Sequence, residues 1–104
     1  NGVIQAQSFL SVSDKRLKKD IKKLHSEESL DLLKQIQPVK YRFKSDKENR
    51  VKLGILAQQI QKIMPDSVVD CGGTLKVEML DLMGVLLGAV KGLSEEIDEL
   101  KKNR

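Results

Sequence analysis

Ser13 and Lys18 are the residues of this chain whose types and spacing suit covalent chemistry. A serine hydroxyl becomes a nucleophile when a neighbouring base takes its proton. A lysine amine can be that base where desolvation or nearby positive charge disfavours its ammonium form. The two stand in Ser13-Asp14-Lys15-Arg16-Leu17-Lys18, and Lys15, Arg16, Lys19 and Lys22 supply positive charge around them. Spacing limits the pairing. On one continuous helix, residues five apart diverge by roughly 140°. Ser13 must therefore precede the helix or meet a lysine from another copy. Plainer readings compete: Ser13 as a helix N-cap and the basic run as a solvated face. A nucleic-acid-binding patch is a further reading. The scarcity of aromatic residues, 3% of the chain, and the lack of a nucleic-acid-binding motif weigh against it.

The charge distribution sets this segment apart. The chain of 104 residues has a net charge of +4. Residues 13–24 hold six bases against two acids, so the whole excess lies there and the remainder is neutral. With 39% hydrophobic and 33% charged residues, one small domain with a thin core is expected. Folding and self-association should then be linked. Cys71 is the single cysteine, which excludes an internal disulfide, and with the lone His25 it makes too small a set for zinc. No metal or cofactor site is expected. No apolar run is long enough to span a bilayer, and the start lacks the regions of a signal peptide. The chain opens on Asn1 rather than methionine, which suits a fragment or a processed product.

The elements that must position Ser13 and Lys18 follow from periodicity. Ile4, Ala6, Leu10 and Val12 share one period-2 face, so residues 1–12 read as extended, the end of something upstream. A short helix or irregular stretch is expected from Ser13 to Leu24. Ser26, as N-cap, opens a helix with Glu27 and Glu28 in its first turn and an apolar face of Leu30, Leu33 and Ile36. Pro38 ends it by about Ile36. Strands are expected over residues 39–44 and 51–56, joined by a polar turn, with a short helix over 57–64 stopped by Pro65. Residues 67–70 and 75–77 flank Cys71-Gly72-Gly73-Thr74, a second hairpin or tight turn.

The C-terminal helix has the most regular pattern. Met79, Met83, Leu86, Val90, Leu93, Ile97 and Leu100 are spaced 4, 3, 4, 3, 4, 3. Met83, Val90 and Ile97 take heptad position a; Met79, Leu86, Leu93 and Leu100 take d. The period implies a left-handed supercoil. In a parallel arrangement Glu96 at g faces Lys101 at e of the neighbour. The first half also has apolar e and g residues (Leu80, Leu82, Leu87 and Ala89), too broad a surface for a two-stranded seam alone. It could pack in a trimer, against its own domain, or both, and strand number stays open from the pattern. Gly84, Gly88 and Gly92 lie four apart at b, f and c. Each costs about 1 kcal/mol relative to alanine, so close approach by another backbone is expected there, with tolerated flexibility as the alternative.

Several segments together resemble a known family. Ser13-Asp14-Lys15-Arg16-Leu17-Lys18-Lys19-Asp20-Ile21 is similar to the opening motif of the peptidase S74 intramolecular chaperone domain. Ile36-Gln37-Pro38-Val39-Lys40-Tyr41-Arg42-Phe43 resembles its second block. Leu53-Gly54-Ile55-Leu56-Ala57-Gln58-Gln59-Ile60 with Met64-Pro65-Asp66-Ser67-Val68-Val69 resembles its third, and the heptads complete the order. Such domains end phage tail spikes, tail fibres and neck appendages. The resemblance implies an α+β, mainly helical fold: short helices and β-hairpins, then a long helix over about 79–102 in a parallel trimeric coiled coil. Residues 1–12 would end an upstream fibre or stalk, and 13–104 would be the chaperone. It implies a homotrimer that helps the upstream β-rich domain of the same polypeptide fold. From the residues themselves no membrane partner is expected, and a nucleic-acid partner is the less favoured alternative. The precursor would be virion-associated and made in the host cytoplasm. The resemblance further implies self-cleavage at Val12–Ser13 that releases the chaperone, with Ser13 as nucleophile, Lys18 as general base, and Asp14 and Arg16 in support. A structural cap that does not cleave is the alternative. Gln59 departs from the pattern, since many relatives carry Glu there.

Overall fold

A computed structural model describes residues 10–104. The extended reading of residues 1–12 therefore falls, up to residue 9, outside the described residues. A 3₁₀ turn (Lys15–Leu17) is followed by α1 (Ser26–Lys34), β1 (Val39–Tyr41), β2 (Lys52–Gly54) and α2 (Ala57–Ile63). A second 3₁₀ turn (Pro65–Ser67) leads to β3 (Val68–Cys71), β4 (Thr74–Val77) and the long α3 (Met79–Lys102). The fold is α+β, with two separate antiparallel hairpins, β1–β2 and β3–β4.

The hairpins have different turn chemistry. Gly72 and Gly73, at φ 63° and 93°, make a two-residue turn with both residues left-handed, which matches strand twist. Asp70 Oδ1 accepts from Gly73 N at 2.7 Å and holds that turn. In the first hairpin, pairing stops at Tyr41 and resumes at Lys52, shorter than the alternation suggests. Asp46 causes this: its carboxylate accepts from Glu48 N and Arg50 N and forks with the Arg50 side chain. The loop thus satisfies its own backbone without a ladder.

α1 lies against α3, and glycine makes this possible. A Cβ on Gly88 would collide with Ser29, and one on Gly92 would sit 2.7 Å from Ser26 Cβ. The expected close approach is therefore real at these two positions, and the partner is the chain's own α1. Gly84 has nothing within 4 Å. This packing also corrects the expected cap. His25 occupies the N-cap without a side-chain hydrogen bond, and Ser26 is the first helical residue, turned onto Gly92. Ser29 Oγ is buried against α3 without a hydrogen-bond partner.

The core is small. Ile60, Leu82, Val85 and Ala89 are its buried apolar residues among those described. On α3 they occupy g and c, the flank that faces α1. Positions a and d point elsewhere: the seven residues from Met79 to Leu100 at these positions are 45–68% exposed.

Candidate functional site

Asp14 builds the site by stopping the chain from continuing straight. Its Oδ1 accepts from Arg16 N at 2.9 Å and so caps the 3₁₀ turn. Leu17 N and Lys18 N then donate to the carbonyls of Asp14 and Lys15, at 3.0 and 3.1 Å. Ser13 is therefore not the cap; Asp14, one residue on, is. The turn reverses the chain within a few residues. Lys18 leaves it in extended backbone (φ −112°, ψ 150°), with its side chain returning toward Ser13. Lys18 Nζ donates to Ser13 Oγ at 2.8 Å. The condition set by spacing is met within one copy: Ser13 precedes the helical turn, and Lys18 follows it.

Arg16 completes the bracket. Its Nε and Nη2 straddle the Asp14 carboxylate, the shortest contact being 2.7 Å. The guanidinium holds the Asp14 carboxyl below its usual range, and the carboxylate in turn raises the affinity of Arg16 for its proton. Both groups are charged at neutral pH, so the pair acts as a fixed clip on the turn. Val12, on the other side of Ser13, is 76% exposed, and its carbonyl precedes the hydroxyl-bearing residue directly.

Ser13 and Lys18 do not stand alone. With Lys22 they line an open groove of about 690 Å³, whose far wall is the first half of α3 with Leu80, Met83 and Leu87. Asp81 lies in the same groove and accepts from Ser67 Oγ at 2.7 Å. Glu78 N donates to Ser67 O at 2.8 Å, so the 3₁₀ turn of Pro65–Ser67 anchors the start of α3. Leu80 and Leu87 were visible in the sequence only as apolar e positions. Their place in the wall depends on how α3 folds back over residues 13–24.

Gln59 has a defined job. Its Oε1 accepts from Gln37 N at 2.7 Å and ties α2 to the segment before β1. An amide oxygen makes this contact as a carboxylate oxygen would, so the departure from Glu leaves the tie in place. Lys15, Lys19 and Lys23 are exposed and do not line the groove. Among the described residues no three His, Cys, Asp or Glu side chains cluster to hold a metal. No described helix is long and apolar enough to cross a membrane.

The sequence profile of the family Peptidase S74, described as chaperone of endosialidase, matches residues 13–69, more than half of the chain. The match begins at Ser13, the residue at which the ordered site begins. The chain is also similar to myelin regulatory factor homolog 1 of Caenorhabditis elegans, with 31% identity over 78 residues. That similarity covers 67% of this chain and spans 8% of the length of the nematode protein.

Proposed function

This chain belongs to the peptidase S74 family, chaperones of endosialidase, and from that premise we propose that it trimerises, assists the folding of an upstream β-rich domain, and then cuts itself free at Val12–Ser13. The observation that carries the cleavage reading is the 2.8 Å contact between Lys18 Nζ and Ser13 Oγ across a capped turn. The upstream domain is a fibre or appendage of a phage particle, joined to this module in one polypeptide.

The chemistry follows from the atoms in place. In the resting arrangement the Lys18 ammonium donates to Ser13 Oγ. Once neutral, the same nitrogen takes the hydroxyl proton, and Oγ attacks the Val12 carbonyl carbon. The bond from that carbon to Ser13 N breaks, and the proton passes to the departing amine. This leaves an ester between Val12 and Ser13 Oγ. Water then hydrolyses the ester, releasing a Val12 carboxylate and restoring the Ser13 hydroxyl beside a free α-amine. Each chain turns over once. Asp14 and Arg16 hold the turn that aims Lys18, and neither needs to touch the reacting atoms.

The chaperone part rests on α3. Its exposed a and d residues form an apolar stripe along the whole helix, which a parallel homotrimer would bury. Joining three C-termini raises the effective concentration of the upstream strands and helps set their register. Cleavage afterwards makes assembly irreversible and the product kinetically stable. A second reading, a trimeric cap that never cleaves, is favoured by the open exposure of Ser13 and Lys18, because nothing in the lone chain shields the pair from water. Intact mass of a longer chain, with and without Ser13→Ala or Lys18→Ala, separates the two. Self-cleavage predicts a new N-terminus at Ser13 in the wild type, and at least about 100-fold slower cutting in either variant. A wild type that assembles and stays whole supports the cap.

A further inference from the structure

Two grooves flank α3, and its heptad register relates them. The first is the Ser13–Lys18 groove, with Leu80 and Leu87 at position e on its wall. The second lies on the opposite flank of the exposed stripe. There Leu33, Ile36, Pro38 and Ile55 face Leu82 and Leu86 of α3 across about 430 Å³. Its lining is almost wholly apolar, yet it is open to solvent. Leu86 is also a d residue, so the groove is continuous with the apolar stripe.

In a parallel bundle, a g residue of one helix lies beside the e residue of the following heptad on its neighbour. Leu82 is at g and edges the apolar groove; Leu87 is the e residue that follows. Leu87 is 66% exposed and shares the Ser13–Lys18 groove with Leu24 and Leu32 of its own copy. The register therefore brings the Leu87 of one copy to the Leu82 of the next, where the open groove is. Salt-bridging residues usually fill these flanking positions, as Glu96 and Lys101 do further along. Here a leucine and an apolar slot stand in their place.

We propose that Leu87 of one copy docks between α1 and α3 of the next copy, and that this docking roofs the Ser13–Lys18 groove with the neighbour's Ile36–Pro38 segment. The inference rests on the reading of α3 as a parallel self-association helix. Leu87 is at once the docked side chain and a wall of the groove, so seating it brings the neighbour's apolar surface over Lys18. Desolvation favours a neutral amine. Cleavage competence then depends on assembly through a specific contact, and a lone chain keeps its groove wet.

The test places a benzophenone side chain at Leu87 in the whole chain and mixes it with isotopically labelled wild type before irradiation. Cross-links from Leu87 to residues 33–38 or Ile55 of a differently labelled copy are expected. Inter-copy cross-links confined to α3 would overturn the docking while leaving the bundle intact. Absence of any inter-copy cross-link in a sample that sediments as an oligomer would also overturn it. A wild type that sediments as a monomer would overturn the docking together with the trimer reading beneath it. A second pair of variants reads the functional consequence in the longer chain. Leu87→Glu should slow cleavage about tenfold, and adding Ile36→Lys should restore most of the rate through the opposite charge. If the double variant is no faster than Leu87→Glu alone, the proposed neighbour is wrong.

Discussion

A lysine five residues beyond a serine reaches it only because the backbone between them turns, and Asp14 makes that turn. Its carboxylate is shared between Arg16 N and the Arg16 guanidinium. Hydrogen bonding from Arg16 depresses the Asp14 pKa in the folded chain. The stability this contributes is present above the ordinary value of 3.8 and is lost as pH falls through the depressed folded value. The Asp14 carboxyl carbon, followed by NMR, should therefore titrate below 3.8, with the turn intact at neutral pH and loosening only in stronger acid. Arg16→Ala should raise the midpoint toward the ordinary range, with the hydrogen bond from the backbone N–H of residue 16 still holding it somewhat below. The residue types of this site were legible from sequence, and so was the requirement that Ser13 precede the turn. The identity of the cap was not. Ser13 and Asp14 are both good caps, and only the contact with Arg16 N, two residues on, selects Asp14.

At the scale of elements, the glycines of α3 divide by what faces them. Gly88 and Gly92 touch Ser29 and Ser26, whereas Gly84 faces open space. Gly88→Ala or Gly92→Ala should separate α1 from α3 and lower stability by about 1–3 kcal/mol. Gly84→Ala should instead raise it by up to about 1 kcal/mol, the ordinary helix-propensity gain. Thermal unfolding of the three variants side by side checks the contrast, and equal effects would contradict the packing. The periods of the helices and the Gly72-Gly73 turn were readable because local chemistry sets them. β1 and β2 were overextended in the sequence reading, since alternation continues through Phe43 while Asp46 has already closed the loop. Ser26 looked like a cap because its role against Gly92 is a contact far along the chain. Long-range contacts of this kind leave no periodic trace.

For the whole molecule, the division of α3 into faces matters most. The apolar e and g positions left open whether the helix packs on its own domain or on copies of itself. The structure assigns g and c to α1 and leaves a, d and e exposed. About half of each a or d side chain remains in water, and burying the rest would contribute on the order of 1 kcal/mol per residue. Val90→Asp, at the middle a position, would bring like charges together in a dry seam. It should abolish oligomerisation by sedimentation while α1 stays packed on α3, because Val90 does not face α1; an oligomer that survives would show that the seam lies elsewhere.

Native mass spectrometry of a longer chain, with its upstream residues attached, tests the central claim most directly, because one spectrum reads both stoichiometry and the state of the Val12–Ser13 bond. Three copies of a product that begins at Ser13 are predicted. A monomer with that bond intact would contradict the account.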